Sequence, residues 1–341
     1  MEIRTLSGPG DSATDAYVRQ HPEGTLFHET GWTQSVIEAY SHDARMLVAR
    51  DGDRITGVLP LVHVKSRLFG SRLVSNAFSV YGGIVADDSV TAAALAGAAR
   101  DVAREVGADY VELKNRKPAL EGLPCKDLYV TFRIPIEKTF DASLKAFSKK
   151  MRQDLRRSEG RAFTCVERGV DLKTFYSLYL HTLRHHGTPP FPLRWFEALR
   201  ANIGDRCLTL GIGTGGRFVG ASMMFLDRGS LMPFYTGVPR RFYKMRTTVA
   251  LHSRMVRMAV ERGCSVLDLG RSKRGTGAFD AKTHWGIEPE SLGYQYLMAP
   301  GAEIPNLSPT NPKMKPLIAA WKLLPIAATR LIGPPLNASL A

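Results

Sequence analysis

The sequence predicts an α/β (α+β) protein made of two tandem domains, each a mixed, mostly antiparallel sheet flanked by helices. Three observations carry this. The chain has 341 residues, too long for one ordinary compact domain and suited to two of about 150 residues with a tail. The segment Trp32 to Leu61 returns as Trp195 to Met224 at a constant offset of 163, with Arg54-Ile55-Thr56-Gly57 answered by Arg217-Phe218-Val219-Gly220. Farther on, Val102-Ala103-Arg104-Glu105-Val106-Gly107 and the strand Val111-Glu112-Leu113 match Met258-Ala259-Val260-Glu261-Arg262-Gly263 and Leu267-Asp268-Leu269 at an offset of 156, as a seven-residue loop deletion would leave. Two separated blocks in one order identify a duplication rather than chance similarity.

Each copy reads helix, hairpin, further strand, helix, glycine stop, strand. A crossover of that helix's length allows the strands on either side of it to run parallel, while the hairpins are antiparallel, so the sheet is mixed. The expected division is 1–138 for the first domain, 139–161 for a basic connecting helix, 162–300 for the second domain and 301–341 for a proline-rich tail. In the connector, Leu144, Phe147, Met151 and Leu155 recur at helical spacing while Lys145, Lys149, Lys150, Arg152, Arg156 and Arg157 crowd the other faces. It serves either as a solvated connector or as a rail for a polyanion, with Lys149 and Arg152 as the binding candidates.

Composition narrows the class. Apolar residues make up 44% and charged residues 23%, a globular balance, and the net charge is +14. That excess favours polyanionic partners, whether a nucleotide cofactor, tRNA or an anionic membrane surface. The cysteines Cys125, Cys165, Cys207 and Cys264 are scattered, suggesting neither a zinc site nor a disulfide framework, and no metal is expected. Residues 1–12 hold no apolar stretch of a signal peptide, and no apolar run approaches the ~20 residues that span a bilayer. The expected location is therefore the cytoplasm.

Several motifs invite misreading. Gly211-Ile212-Gly213-Thr214-Gly215-Gly216 formally contains a dinucleotide-loop pattern, yet a strand rather than a helix follows, which makes it a hairpin turn. Gly270 to Gly277 lacks the lysine of a Walker loop. His181 and His185, four apart with His186 beside them, have no third ligand in sequence and mark a helix end before Thr188-Pro189-Pro190. No G-x-S-x-G nucleophile elbow is present.

The chemistry-bearing segment is Gly263 to Tyr296. An apolar strand, Val266 to Leu269, ends at Gly270, and a cationic loop with Arg271, Lys273 and Arg274 follows, with Lys282 beyond it. Loops leaving the carboxyl ends of strands line the ligand crevice in sheet-based enzymes. Asp268-Leu269-Gly270-Arg271-Ser272 resembles the D-F-G-R-S of FemAB-like proteins, and Lys282-Thr283-His284-Trp285-Gly286 resembles their F-K-x-x-W-G element. Pro289, Leu292, Tyr294 and Tyr296 follow the P-x-x-L-x-Y-x-Y pattern. The similarity covers roughly residues 145–298, and the element order of each copy is that of the GNAT acyltransferase fold. In the tail, Asn311-Pro312-Lys313, Trp321, Leu324-Pro325 and Gly333-Pro334 resemble the ending of FemAB-like proteins associated with exosortase and PEP-CTERM systems, which accompany exopolysaccharide loci.

What the resemblance implies is an N-acyltransferase acting on an amine of a cell-envelope or exopolysaccharide precursor, with no resident cofactor and acyl-CoA as co-substrate. Aminoacyl transfer from charged tRNA is the alternative, and a non-catalytic scaffold the reading from another class. The acceptor is a small-molecule or lipid-linked amino sugar or peptide; DNA is not expected. Such chemistry must deprotonate the amine and stabilise an oxyanion. Lys282 is the first candidate to hold donor phosphate or oxyanion, Asp268 to orient Arg271 or act as base, and Tyr235 to relay a proton. Arg271, Ser272, Lys273, Trp285, Arg246 and Thr247 are the donor- and substrate-binding candidates, with Thr247 expected to cap a helix whose N-terminus attracts anions.

Three positions depart from the family pattern: Ala281 for Phe before the motif lysine, which is expected to loosen the packing of Lys282, Leu269 for Phe, and Thr247-Thr248 for Pro-Asn. Arg240 to Arg246 lacks the R/Q-x-x-G-x-G/A pyrophosphate motif of ordinary acetyl-CoA enzymes. The first copy has no equivalent of the cationic loop, since Lys114-Asn115-Arg116-Lys117 follows its strand; it is expected to be a scaffold and acceptor wall, with Phe78 to Gly83 bordering the cleft. The tail reads as a short apolar helix broken by Pro325, with Lys322 and Arg330 at its flanks, and it either packs on the body or contacts the inner membrane peripherally.

Overall fold

The computed structural model describes residues 1–66, 69–160, 163–299, 301 and 315–340. The first half runs β1 (Glu2–Ser7), α1 (Ser12–Gln20), α2 (Thr30–Tyr40), β2 (Asp43–Asp51), β3 (Arg54–Ser66), β4 (Gly70–Val74), β5 (Val85–Ala86), α3 (Ser89–Val106) and β6 (Tyr110–Asn115). A crossing region follows: β7 (Tyr129–Thr131), β8 (Arg133–Pro135), α4 (Phe140–Ser143) and α5 (Lys149–Glu159). The second half comprises β9 (Thr164–Glu167), α6 (Leu172–His186), α7 (Leu193–Ile203), β10 (Cys207–Thr214), β11 (Arg217–Asp227), β12 (Ser230–Gly237), α8 (Thr247–Glu261), β13 (Val266–Asp268), β14 (Ser272–Lys273), α9 (Gly277–Thr283), β15 (Glu290–Ser291) and β16 (Gly293–Met298). Two helices, α10 (Lys315–Leu323) and α11 (Ile326–Ala338), close the chain, with Pro325 just before the second. Asn311, Pro312 and Lys313 lie outside the described residues.

The repeat is visible down to its irregularities. The β2–β3 hairpin carries a bulge between Ala49 and Arg50, and the β10–β11 hairpin carries one between Ile212 and Gly213, 163 residues on. Helices α3 and α8 are both followed by a glycine at positive φ, Gly107 and Gly263, the left-handed conformation that ends helices at least cost for glycine. Gly215 and Gly216 both take positive φ in the turn joining β10 to β11, as a tight hairpin requires.

The sheets do not respect the sequence division. The first has the order β1-β2-β3-β4-β6-β16, with β5 beside β3; the second has β8-β13-β12-β11-β10-β9. The last strand of the second half, β16, therefore completes the first sheet through pairs such as Gln295 with Leu113, and β8, lying ahead of residue 138, completes the second by pairing Ile134 with Leu267. A third, small sheet, β14-β7-β15, pins both flanks of α9 to the crossing strand. The bodies drawn at 1–138 and 162–300 thus each lend a strand to the other.

Pseudo-equivalent helices meet across the halves. Trp32 of α2 and Trp195 of α7 are fully buried and pack edge to face, ring centroids 5.5 Å apart, the geometry that aromatic quadrupoles favour. The Trp32 Nε1–H donates to the Ala77 carbonyl and the Trp195 Nε1–H to the Tyr235 hydroxyl, each at 2.9 Å. In the connector, Leu144, Phe147, Met151 and Leu155 all enter the second core, and α5 lies on α8. The four cysteines are free. Among the described residues no helix is long and apolar enough to cross a membrane, and no three His, Cys, Asp or Glu side chains cluster to hold a metal.

Because Trp32 sits in a core built from residues of both halves, Trp32→Ala is expected to lower the unfolding free energy by about 3–5 kcal/mol. Denaturant titration should show the two halves losing structure in one transition; loss of the first half alone would contradict the shared core.

Candidate active site

Strands β12 and β13 are parallel neighbours for two residue pairs only, Ser230 with Val266 and Leu231 with Leu267. Beyond that β12 stays with β11 while β13 stays with β8, so the two strands part. A bulge between Met223 and Met224 of β11, opposite Pro233 to Tyr235, re-aims β12 at the same level. A cavity of about 590 Å³ opens in the parting, walled by Pro233, Phe234 and Tyr235 on one side and Leu269 to Lys273 on the other. Its opposite wall comes from the first sheet: Arg72 on β4, and Tyr110, Glu112 and Lys114 on β6. Tyr129, Tyr296 and the loop from His186 to Phe191 complete the lining, and Ile318, Asn337 and Leu340 of the tail reach its rim.

The charge is one-sided. Among the described residues, Arg72, Lys114, Lys126, Arg271 and Lys273 line the cavity with one carboxylate, Glu112, which accepts from the Tyr296 hydroxyl at 3.3 Å. The Arg271 guanidinium lies over the Tyr129 ring at 4.7 Å and near Tyr294 at 5.9 Å, so aromatic faces compensate part of its desolvation. Burial lowers the pKa of Lys114 to about 8. Burial, followed by the neighbouring Arg271 and Lys126, lowers that of Lys273 to about 8. Burial, then His185 and Lys322, also pushes the His186 imidazole below its ordinary range. The result is a cationic hollow with an imidazole kept neutral near pH 7.

Of the residues singled out in sequence, Arg271, Ser272, Lys273 and Tyr235 share this cavity. Lys282 is not in its lining. Its ammonium donates to the Leu269 carbonyl at 2.6 Å and to the Gly270 carbonyl at 3.4 Å, from behind the loop, and lies 5.8 Å from the centre of the Phe132 ring. Burial lowers its pKa to about 8, against the opposing pull of Asp268. Ala281 is exposed, so the loss of a Phe there removes no packing around Lys282, contrary to expectation.

Asp268 does not touch Arg271. Its carboxylate accepts from the Tyr81 hydroxyl at 2.9 Å, the Thr131 hydroxyl at 3.0 Å and the Gly270 amide at 2.8 Å, and pairs with Arg133 at 3.4 Å. It fixes the turn from which Arg271 projects. Burial raises the Tyr235 phenol well above its ordinary range, so this hydroxyl stays protonated while it accepts from Trp195.

The remaining candidates lie elsewhere. Trp285 packs on His252 at 4.4 Å and Phe147 at 5.9 Å, and its carbonyl accepts from the Ser148 amide at 2.6 Å, clasping α9 to α5 and α8. Arg246 pairs with Asp154. Thr247 is the first helical residue rather than the cap: Arg246 takes the cap position at positive φ, and the Thr247 hydroxyl donates to the Phe242 carbonyl at 3.1 Å. Lys149 is exposed and Arg152 half-buried on α5, both outside the cavity lining.

The sequence reading missed Arg72, Glu112, Lys114, Lys126 and His186. Alternation within Tyr110 to Lys114 holds a signal for two of them, because Val111 and Leu113 face the core and Glu112 and Lys114 must share the other face.

Two interlocked halves, with a cationic cavity where the second sheet splits, have the tandem GNAT fold. Residues 143–283 match the acetyltransferase (GNAT) domain family. Among curated proteins, the lipid II:glycine glycyltransferase of Staphylococcus saprophyticus is 29% identical over 209 residues, covering 55% of this chain and 50% of that protein. The chain therefore spans about half the length of the curated relative it matches. The structure of FemX superposes with a TM-score of 0.67 at 15% identity, covering 94% of this chain and all of FemX. A tandem GNAT protein from the clavulanic acid biosynthesis pathway gives 0.55 at 12% identity, covering 89% of this chain and all of that one. At these identities the two structures bear on fold alone, and the fold they share with this chain is the tandem GNAT fold. Over the 209 matched residues the chain is homologous to the glycyltransferase.

Replacing Lys282 by Met leaves two loop carbonyls without their donor and is expected to cost about 1–3 kcal/mol in denaturant unfolding, whereas Lys273→Met should leave stability unchanged. Lys273 and Lys114 lose their charge as pH rises through about 8. Affinity for inorganic pyrophosphate, measured by calorimetry, should therefore fall by about tenfold or more between roughly pH 7 and 9.5; a flat profile would place the anion elsewhere.

Proposed function

We propose that this chain transfers an acyl group from an activated carboxyl donor to the amine of a phosphate-bearing cell-envelope precursor, in the cavity between β12 and β13. The observation that carries the reading is the set of five cations and one carboxylate that, among the described residues, lines the cavity where the sheet splits. The amine nitrogen attacks the donor carbonyl carbon, and a tetrahedral intermediate forms. The bond to the leaving sulfur or ester oxygen then breaks. The proton lost from the amine passes to the neutral imidazole of His186 and from there to the leaving group. Arg271 and Lys273 hold phosphate or the developing oxyanion, and the Tyr235 hydroxyl is a donor to the same charge. Lys282 and Asp268 act as positioning residues, one tethering the carbonyls and the other the amide of the Leu269–Gly270 turn.

Two donors fit. A thioester such as acyl-CoA is the leading choice, although the turn at Arg240–Met245 carries no acetyl-CoA pyrophosphate motif. Aminoacyl-tRNA is favoured by the homology to a lipid II:glycine glycyltransferase and by the net charge of +14. An exopolysaccharide or exosortase setting is supported by the tail motif alone.

The test is mass spectrometry of products from the purified chain, supplied with acyl-CoAs or charged tRNA and with amino-sugar or peptide precursors bearing diphosphate. Arg271→Ala is expected to lower kcat/KM by about ten- to hundredfold. His186→Gln should lower kcat and flatten its acid limb. Tight precursor binding with no acylated product from either donor class would favour the scaffold reading instead.

A further inference from the structure

The tail is built inside out. An ordinary surface helix buries its leucines and shows its polar side chains, whereas α11 does the reverse. Its inward face is Thr329, Gly333 and Asn337, spaced four apart; Thr329 is 1% exposed and Asn337 6%. Asn337 accepts from the Tyr40 hydroxyl at 2.7 Å and donates to the Pro189 carbonyl at 3.3 Å. A side chain at Gly333 would strike Pro190. The outward face carries Leu331, 77% exposed, with Ile332, Leu336 and Leu340 beside it, and α10 adds Leu323 at 81% and Leu317 at 63%. The other large exposed apolar side chains among the described residues are Met1, Val90 and Tyr243.

Polar bonds and close backbone approach thus seat the tail firmly on the body while its apolar face is left outward. Contiguous exposed apolar surface marks an interaction site.

The charge around the patch selects the partner. Residues 315–340 contain no Asp or Glu, and Lys322 and Arg330 flank the patch, both exposed. Beside it lies the turn Arg240–Met245, with Arg240, Arg241, Lys244 and the exposed Tyr243; His185 bridges the two, feeling the charges of both Arg240 and Lys322 and packing 6.2 Å from the Tyr243 ring. Leucines ringed by cations, with an aromatic at the edge, match the interface of an anionic bilayer. The inner surface of the same helices, through Ile318 and Asn337, forms part of the cavity rim.

We propose that α10 and α11 are an interfacial docking surface for an anionic lipid bilayer. Docking is independent of the acyl-transfer reading.

The test is sedimentation of the full chain with vesicles of phosphatidylcholine alone or mixed with phosphatidylglycerol. Binding is expected for the mixed vesicles, falling with salt. Lys322→Glu and Arg330→Glu should each weaken it by at least about fivefold, and Leu323→Glu with Leu331→Glu should abolish it, with unchanged melting because both leucines are exposed. Arg271→Ala, impaired in transfer, should sediment like the unaltered chain, which separates failure of docking from failure of the catalytic reading. Absence of vesicle binding, vesicle binding indifferent to the leucines, or a mass by light scattering that halves in the leucine variant would each overturn the proposal, the last in favour of a dimer interface.

Discussion

Keeping positive charge inside a protein is the constraint on which this architecture depends. Arg72 and Lys114 are each 2% exposed, and an isolated buried cation is costly unless its surroundings supply compensation. Among the described residues, part of the compensation comes from ring faces and carbonyl oxygens: Tyr129 and Tyr294 under Arg271, the Ser339 carbonyl for Arg72, the Asn76 carbonyl for Lys114. Such neutral partners hold a cation in place without cancelling its charge.

That solution requires walls from distant parts of the chain. Two strands that part after a pair of contacts leave backbone edges facing a gap, and something must line it. The gap is lined by β6 of the other half, by the cationic loop held through β14 to β7, and by the tail. The carboxylate of Asp268 and the ammonium of Lys282 converge on the Leu269–Gly270 turn from behind, which explains how a glycine-rich loop can present an arginine rigidly.

Much of this was legible in sequence because duplication writes its own punctuation. Paired tryptophans, matched hairpin segments and glycine stops 156 or 163 residues apart mark the two copies and their elements. The cationic loop after β13 was legible for the same reason that such loops recur, namely that strand ends carry the crevice. The partners of Lys282 and Asp268 were not. A lysine that grips two carbonyls and one that faces a ligand have the same neighbours in sequence, and only tertiary packing separates them. Nor could local pattern show the strand exchange, since β8 and β16 pair with strands more than 130 residues away and short apolar runs do not name their neighbours. Lys114 was read as part of a scaffold because its half lacks the loop motif, yet the exchange brings its strand against the same hollow.

The exchange of β8 and β16 also bears on how such a protein can evolve. A duplicated gene whose halves each close their own sheet can shed one half and survive. Here deletion of either copy would strip the other of its outermost strand and bare β6 or β13 as an open edge, inviting sticky association with other chains. Having traded strands, the twins are bound to be inherited together.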